Sequence, residues 1–137
     1  MVGSESIEHV KGMIDRVKED FSFIKINPNI LGIILYGSRI YGDSHLKSDI
    51  DICVVSTYEK IVDAYNFIIE NTNHNNEIYD IRFFNELPLV IQGEIMENGI
   101  IAISNDIYEL HEYFFNYRKM YDDWKFKIKH LFQSSSF

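Results

Sequence analysis

The sequence predicts an α/β protein in which helices flank a small mixed β-sheet, and three observations lead to this prediction. Short runs rich in Ile and Val alternate along the 137 residues with segments whose apolar residues recur every three or four positions. The resulting order, a helix followed by alternating strands and helices, is typical of a sheet covered by helices. A hydrophobic content of 46% and an aromatic content of 15% exclude general disorder and allow one core for a single domain over residues 1–137.

The first half of the chain is predicted to contain one long helix and two strands. Apolar residues within 7–24 step regularly by three and four positions, so this segment predicts an amphipathic helix. Residues 30–36 and 49–55 are apolar runs and predict the first and second strands. Between them, residues 37–42 predict a turn that opens a short helix, and a polar loop follows.

The second half is predicted to alternate helices and strands. Ser56 followed by Glu59 has the spacing of a capping box and predicts the start of the second helix. That helix is predicted to end at the Asn-rich stretch 71–76. The remaining predicted elements, in chain order, are a strand at 77–84, a helix at 88–97, a strand at 100–104, a helix from 105 or 106 to 132, and a flexible tail at 133–137.

Composition and charge weigh against several classes of function. The net charge of −8 argues against direct nucleic-acid binding, because affinity for phosphate backbones comes mainly from Lys and Arg. The longest apolar run, residues 30–36, is too short to cross a bilayer, so no membrane association is predicted. The single cysteine, Cys53, lies in an apolar strand, as is typical of a small buried side chain in a reducing compartment. The sequence therefore predicts a cytoplasmic protein.

The most informative motif joins the first two predicted strands. Gly37-Ser38 ends the first strand, and Asp49-Ile50-Asp51 begins the second after ten intervening residues. Strand residues two apart point to one face, so Asp49 and Asp51 project together, roughly 7 Å apart at their Cα atoms, and can bind one or two divalent cations. A Gly-Ser turn can present N–H groups and a hydroxyl to phosphate oxygens. Alone, the acids could be a solvated strand end and the turn an ordinary turn, but together they predict a site for a metal–nucleoside triphosphate.

This pattern resembles the signature of the nucleotidyltransferase superfamily, which includes DNA polymerase beta, and looks most like its minimal, MNT-type branch. The resemblance covers nearly the whole chain and implies the nucleotidyltransferase fold, two Mg²⁺ ions and ATP as the substrate. Proteins of that branch act as the antitoxin of a pair whose toxin is a HEPN-domain ribonuclease. The resemblance therefore also implies a HEPN toxin as the protein partner.

Members of this superfamily use a third carboxylate on a neighbouring strand, and Asp80 is the matching position. Alternation places Asp80 and Arg82 on the same face of the third strand. Asp80 is predicted to act as a metal ligand or as the base toward the incoming hydroxyl. The alternative is an ion pair with Arg82 on a solvated strand edge, and the sequence leaves open whether Arg82 makes that pair or binds phosphate. Two roles are likewise open for Arg39, a contact with the triphosphate and an ordinary surface ion pair.

The predicted reaction is the Mg²⁺-dependent transfer of AMP from ATP to a hydroxyl, which the resemblance implies is a tyrosine of the HEPN toxin. A catalytically inactive antitoxin that acts by binding alone and a small-molecule nucleotidyltransferase are the alternatives. The last predicted helix carries aromatic residues off its apolar stripe, among them Phe115, Phe126 and Phe132, which predict a contact surface for a protein partner. The predicted site residues are Asp49, Asp51 and Asp80 for catalysis and metal binding, and Gly37, Ser38 and Arg39 for nucleotide binding.

Overall fold

Four strands and four α-helices make up the part of the chain that the computed structural model describes, which is residues 4–37, 49–72 and 78–135. The strands are β1 (Ile30–Leu35), β2 (Ile50–Ser56), β3 (Tyr79–Phe83) and β4 (Ile100–Ser104). The helices are α1 (Ser4–Asp20), α2 (Ile61–Asn71), α3 (Leu89–Asn98) and α4 (Ile107–Ser135). Two short 3₁₀-helices, Ser22–Ile26 and Phe84–Glu86, follow α1 and β3.

The strands form one mixed sheet in the order β3-β2-β1-β4. β1 pairs antiparallel with both β2 and β4, whereas β2 and β3 are parallel and joined through α2. Parallel neighbours require a crossover connection of this kind, which a helix usually supplies. The predicted α/β class with a small mixed sheet flanked by helices is confirmed.

Hydrophobic side chains cover both faces of the sheet. On one face, β1 and β2 pack against α1 and α2 through side chains that include Val17 and Ile68. On the other, they pack against α3 and α4 through side chains that include Ile95 and Phe114. Every residue of β1 is buried, as expected for an apolar central strand with helices on both sides.

The first two helices differ from their predicted bounds. α1 ends at Asp20, and the chain tightens into the 3₁₀-helix Ser22–Ile26, whereas the sequence predicts α-helix to residue 24. Such tightening is common at helix ends, and here both Phe21 and Ile24 are fully buried. The predicted capping box is wrong, because the Ser56 hydroxyl accepts a hydrogen bond from the Tyr58 N–H group at 3.0 Å and α2 begins only at Ile61.

The later elements lie close to their predicted positions, with two shifts at their ends. β3 is shorter than predicted, since the chain enters the 3₁₀-helix at Phe84, whose carbonyl accepts a hydrogen bond from the buried Gln92 amide at 2.8 Å. α4 extends to Ser135, past its predicted end at residue 132 and into the segment predicted as a tail. The helix predicted to open at 37–42 falls outside the described residues beyond Gly37. None of the described helices is long and apolar enough to cross a membrane.

Candidate functional site

Two carboxylates lie side by side at one end of the parallel strand pair. Asp51 in β2 and Asp80 in β3 are direct partners in the strand register. Their neighbours Ile50, Ile52 and Ile81 pack into the core against α1 and α2, so alternation turns both aspartates to the opposite face. The structure thus brings together two of the three predicted carboxylates.

Gly37 closes this site from the end of β1. Its φ of +91° lies in the region that L side chains rarely adopt, and a Cβ atom built on it would lie 2.3 Å from Oδ2 of Asp51. The preceding residue, Tyr36, donates its backbone N–H to the Asp51 carbonyl at 3.2 Å. Because only glycine tolerates both the conformation and the contact, the chain can turn directly over the Asp51 carboxylate at this position.

The environment of Asp51 raises the pKa of its carboxyl group above the ordinary value. Burial is the largest cause that raises the pKa of Asp51, followed by the negative charge of Asp80 and by a hydrogen bond with that side chain. The charge of Asp49 raises the pKa further, and the guanidinium of Arg82 lowers it. A cation bound beside these two carboxylates would be stabilised by their negative charge.

Arg82 makes an ion pair with Asp80. Its Nε donates to Asp80 Oδ1 at 3.0 Å, and the two side chains are 55% and 37% exposed. Of the two roles that the sequence leaves open for Arg82, the structure shows the pair with Asp80.

Of the remaining predicted site residues, the structure describes Asp49 but not Ser38 or Arg39. Asp49 is exposed and immediately precedes β2. Ser38 and Arg39 lie outside the described residues. Within residues 4–37, 49–72 and 78–135, no group of three or more His, Cys, Asp or Glu side chains is arranged to hold a metal ion. Asp49, Asp51 and Asp80 therefore do not form such a group in the structure. The carboxylate oxygens of Asp51 and Asp80 are nevertheless the hard ligands that Mg²⁺ prefers.

Tyr36 is a neighbour of the site to which the sequence analysis assigns no role. Its side chain is partly buried against the core on the α3 and α4 side of the sheet. Burial is the largest cause that raises the pKa of the Tyr36 hydroxyl, and the charges of Asp51 and Asp80 add to it while Arg82 opposes it. Its position directly before Gly37, two residues after the buried Ile34, is the sequence signal that places it on this face.

Comparisons with known proteins agree with this geometry. Residues 21–108 match the family of polymerase beta nucleotidyltransferases. A protein of Methanocaldococcus jannaschii named as a candidate protein adenylyltransferase is 37% identical over 100 residues, which are 73% of this chain and 76% of that protein. The chain therefore belongs to the polymerase beta nucleotidyltransferase family, and the resemblance seen in the motif is confirmed.

Solved structures share the same fold. One chain of a crystal structure of a toxin–antitoxin with AMP-PNP superposes with a TM-score of 0.60 and 15% identity, over 91% of this chain and 96% of that one. A chain of the complex of an MNT antitoxin with the tri-AMPylated HEPN toxin of Shewanella oneidensis superposes with a TM-score of 0.54 and 13% identity, over 94% and 97%. At these identities the likeness establishes the nucleotidyltransferase fold, as predicted.

Proposed function

We propose that this protein transfers AMP from ATP to a tyrosine hydroxyl of a HEPN-domain toxin and thereby acts as the antitoxin. The observation that carries the proposal is the carboxylate pair of Asp51 and Asp80 beside the Gly37 turn. The family match supports nucleotidyl transfer, and the relative named as a candidate protein adenylyltransferase supports AMP as the group transferred. The structures of toxin–antitoxin complexes with the same fold support a toxin as the acceptor.

The reaction exchanges one bond to phosphorus for another. The phenolic oxygen of the acceptor forms a bond to the α-phosphorus of ATP, and the bond between that phosphorus and the oxygen bridging to the β-phosphate breaks. Pyrophosphate leaves with the electron pair of the broken bond, and the phenolic proton passes to a base. The product is an AMP–tyrosine phosphodiester on the toxin.

Each predicted residue has a separate task in this proposal. Asp49 and Asp51 would hold Mg²⁺, and Asp80 would act as a further ligand or as the base that accepts the phenolic proton. Magnesium bound there would supply charge stabilisation to the α-phosphate and to the leaving pyrophosphate. Gly37, Ser38 and Arg39 would contact the triphosphate.

The acceptor is proposed to be a protein because α4 exposes a line of aromatic side chains. Tyr108, Phe115 and Phe126 are 83%, 60% and 62% exposed. At 3.6 residues per turn, their spacings of seven and eleven residues place all three along one side of the helix, away from the buried Leu110 and Phe114. We call these three residues the outer aromatic line. A row of exposed aromatic residues is typical of a protein contact surface.

The test is to co-express the protein with its proposed partner, a cognate HEPN toxin, and to analyse the toxin by mass spectrometry. A tyrosine that carries one or more AMP groups is expected, and purified protein with labelled ATP and Mg²⁺ should label the same residue. Asp51→Asn or Asp49→Asn should lower the rate by about a hundredfold or more, because each change removes a ligand charge with little change in volume.

Two results would favour the alternatives. An unmodified toxin that is nevertheless inhibited by the wild-type protein would favour an antitoxin that acts by binding alone. Label that appears on a small hydroxyl compound and never on protein would favour a small-molecule nucleotidyltransferase. Near-normal transfer by both aspartate variants would contradict the assigned site.

A further inference from the structure

The ion pair between Arg82 and Asp80 stands where the proposed site needs a cation. The two residues are two apart in β3 and share the face on which Asp51 lies. Arg82 Nε contacts Asp80 Oδ1 at 3.0 Å, and more than half of the arginine side chain is exposed. Exposed ion pairs contribute little to stability, so this contact can break without unfolding the strand.

The charges around the pair explain why an arginine stands there. Asp51 experiences the negative charges of Asp80 and Asp49, and the guanidinium of Arg82 opposes them with a positive charge. Without a bound metal, the guanidinium therefore offsets the repulsion between the carboxylates. A metal ion that binds Oδ1 of Asp80 competes with the guanidinium for that oxygen.

We propose that Arg82 is a displaceable counter-ion: it holds Asp80 in the nucleotide-free protein and moves to the triphosphate when a divalent cation and ATP enter. The inference rests on the proposed function and deepens it. When a cation binds the Asp80 oxygen, the guanidinium is released close to the bound triphosphate, which carries several negative charges. Guanidinium groups bind phosphate oxygens through paired, charge-assisted hydrogen bonds, so the released side chain gains a better partner than it lost.

This exchange gives Arg82 opposite effects on two ligands. It opposes the binding of a divalent cation alone, because the guanidinium occupies Oδ1 of Asp80 and repels a second positive charge beside it. It favours the binding of the metal–nucleotide complex, because the phosphates receive the released guanidinium. A residue that merely supported the fold of β3 would change both affinities in the same direction.

The test compares wild type with Arg82→Gln by direct binding, with Mn²⁺ alone and with AMP-PNP in excess Mg²⁺ as probes. Electron paramagnetic resonance reports free Mn²⁺, and calorimetry reports AMP-PNP binding. The variant should bind Mn²⁺ about two- to fivefold more tightly, the size expected for loss of an exposed competing ion pair. It should bind AMP-PNP about tenfold or more weakly, as expected for loss of charge-assisted hydrogen bonds. Arg82→Lys keeps the positive charge but loses the planar guanidinium. Its affinity for AMP-PNP should therefore lie between those of wild type and Arg82→Gln.

Lys125→Gln is the matched control. Lys125 and Glu97 form an ion pair of similar exposure between α4 and α3, with Nζ and Oε1 separated by 3.3 Å. This change removes the same charge and the same kind of contact, and it should alter neither affinity. Thermal unfolding of each variant checks that the fold is intact.

The possible outcomes separate this inference from the function on which it rests. If wild type binds neither Mn²⁺ nor AMP-PNP, the proposed function fails, and the counter-ion role fails with it. If wild type binds both but Arg82→Gln leaves both affinities unchanged, or weakens both together, the counter-ion role alone is overturned. Tighter Mn²⁺ binding together with weaker AMP-PNP binding supports it.

Discussion

At the scale of single residues, the site is built from groups that repel one another. Asp51 and Asp80 face each other across two parallel strands, and the ionised form of Asp51 is disfavoured by burial and by its neighbour. Such unfavourable pairs persist in proteins where a ligand relieves them, and perturbed carboxylates in this position are markers of function. The pair of carboxylates does not stabilise the fold, so replacing one of the two aspartates should leave the protein folded.

Asp51→Asn is expected to stabilise the protein without ligands at pH 7, by up to about 1 kcal/mol after screening by solvent. The folded state raises the pKa of Asp51 above its unfolded value, so the ionised form lowers stability at neutral pH. As the pH falls through the raised pKa, Asp51 takes up a proton and this cost disappears. The gain from Asn should therefore shrink in acid, which thermal unfolding across pH measures. Asp49→Asn, at an exposed position, should show a smaller gain, and an equal gain would contradict the role of burial.

Gly37→Ala is expected to lower the free energy of unfolding by about 1–3 kcal/mol and to weaken nucleotide binding. The new Cβ would occupy a positive-φ position and would clash with Oδ2 of Asp51, so the turn must move away from the carboxylate. Urea unfolding and AMP-PNP titration measure the two effects. Wild-type affinity in this variant would show that the nucleotide does not need the turn at its observed place.

At the scale of elements, the contact between α3 and α4 depends on one small residue. A Cβ atom on Gly93 would lie 2.0 Å from Cε1 of Tyr121, so the tyrosine ring packs directly on the backbone of α3. The same ring stacks on Trp124, with centroids 6.0 Å apart and planes inclined by 21°. α4 therefore docks against α3 through the Tyr121 ring, and Gly93 sets how close the two helices approach.

Gly93→Ala is expected to destabilise the protein by about 1–3 kcal/mol, because the methyl group cannot enter without displacing Tyr121. Gly12→Ala is the matched control, since Gly12 lies within α1 with nothing within 4 Å of a built Cβ atom. That change should stabilise the protein by about 0.5–1 kcal/mol through helix propensity alone. Chemical denaturation measures both, and effects of the same sign would contradict the packing argument.

At the scale of the whole molecule, the two sides of α4 have different surroundings. The inner side carries the buried Leu110 and Phe114, and the outer side presents the outer aromatic line to solvent. The net charge of −8 does not favour an anionic partner for the molecule as a whole. A partner that covers the aromatic residues is therefore expected to be a protein.

Phe115→Ser combined with Phe126→Ser is expected to weaken binding of the HEPN toxin by about tenfold or more, since buried aromatic residues carry much of the energy of protein interfaces. Stability should change little, because both side chains are already exposed. Calorimetry with a catalytically inactive Asp51→Asn background measures binding without modification. Ile26→Ser, at a residue that is 79% exposed on the first 3₁₀-helix, is the control and should leave affinity unchanged. Equal weakening by the control would remove the outer aromatic line as the contact surface.

The sequence by itself determined the elements and the family, because both depend on local patterns. Apolar runs and the three-four periodicity locate the strands and helices to within a few residues, since each pattern reflects which side of one element faces a core. The family follows from Gly37-Ser38 and the Asp49-Ile50-Asp51 segment, whose spacing is readable along the chain. Alternation likewise places Asp80 and Arg82 on one face of their strand.

Only the tertiary structure decided how these pieces meet, because that depends on contacts between residues distant in sequence. The partnership of Asp51 with Asp80 follows from the register of two strands joined through α2. The alternating pattern of each strand fixes which face a residue occupies, but not which residue of the other strand lies opposite it. The Ser56 hydroxyl could cap a helix or close a turn, and in the folded chain it accepts a hydrogen bond from the Tyr58 N–H group while α2 begins at Ile61. Arg82 could meet phosphate or carboxylate, and the folded chain places Oδ1 of Asp80 3.0 Å from its Nε.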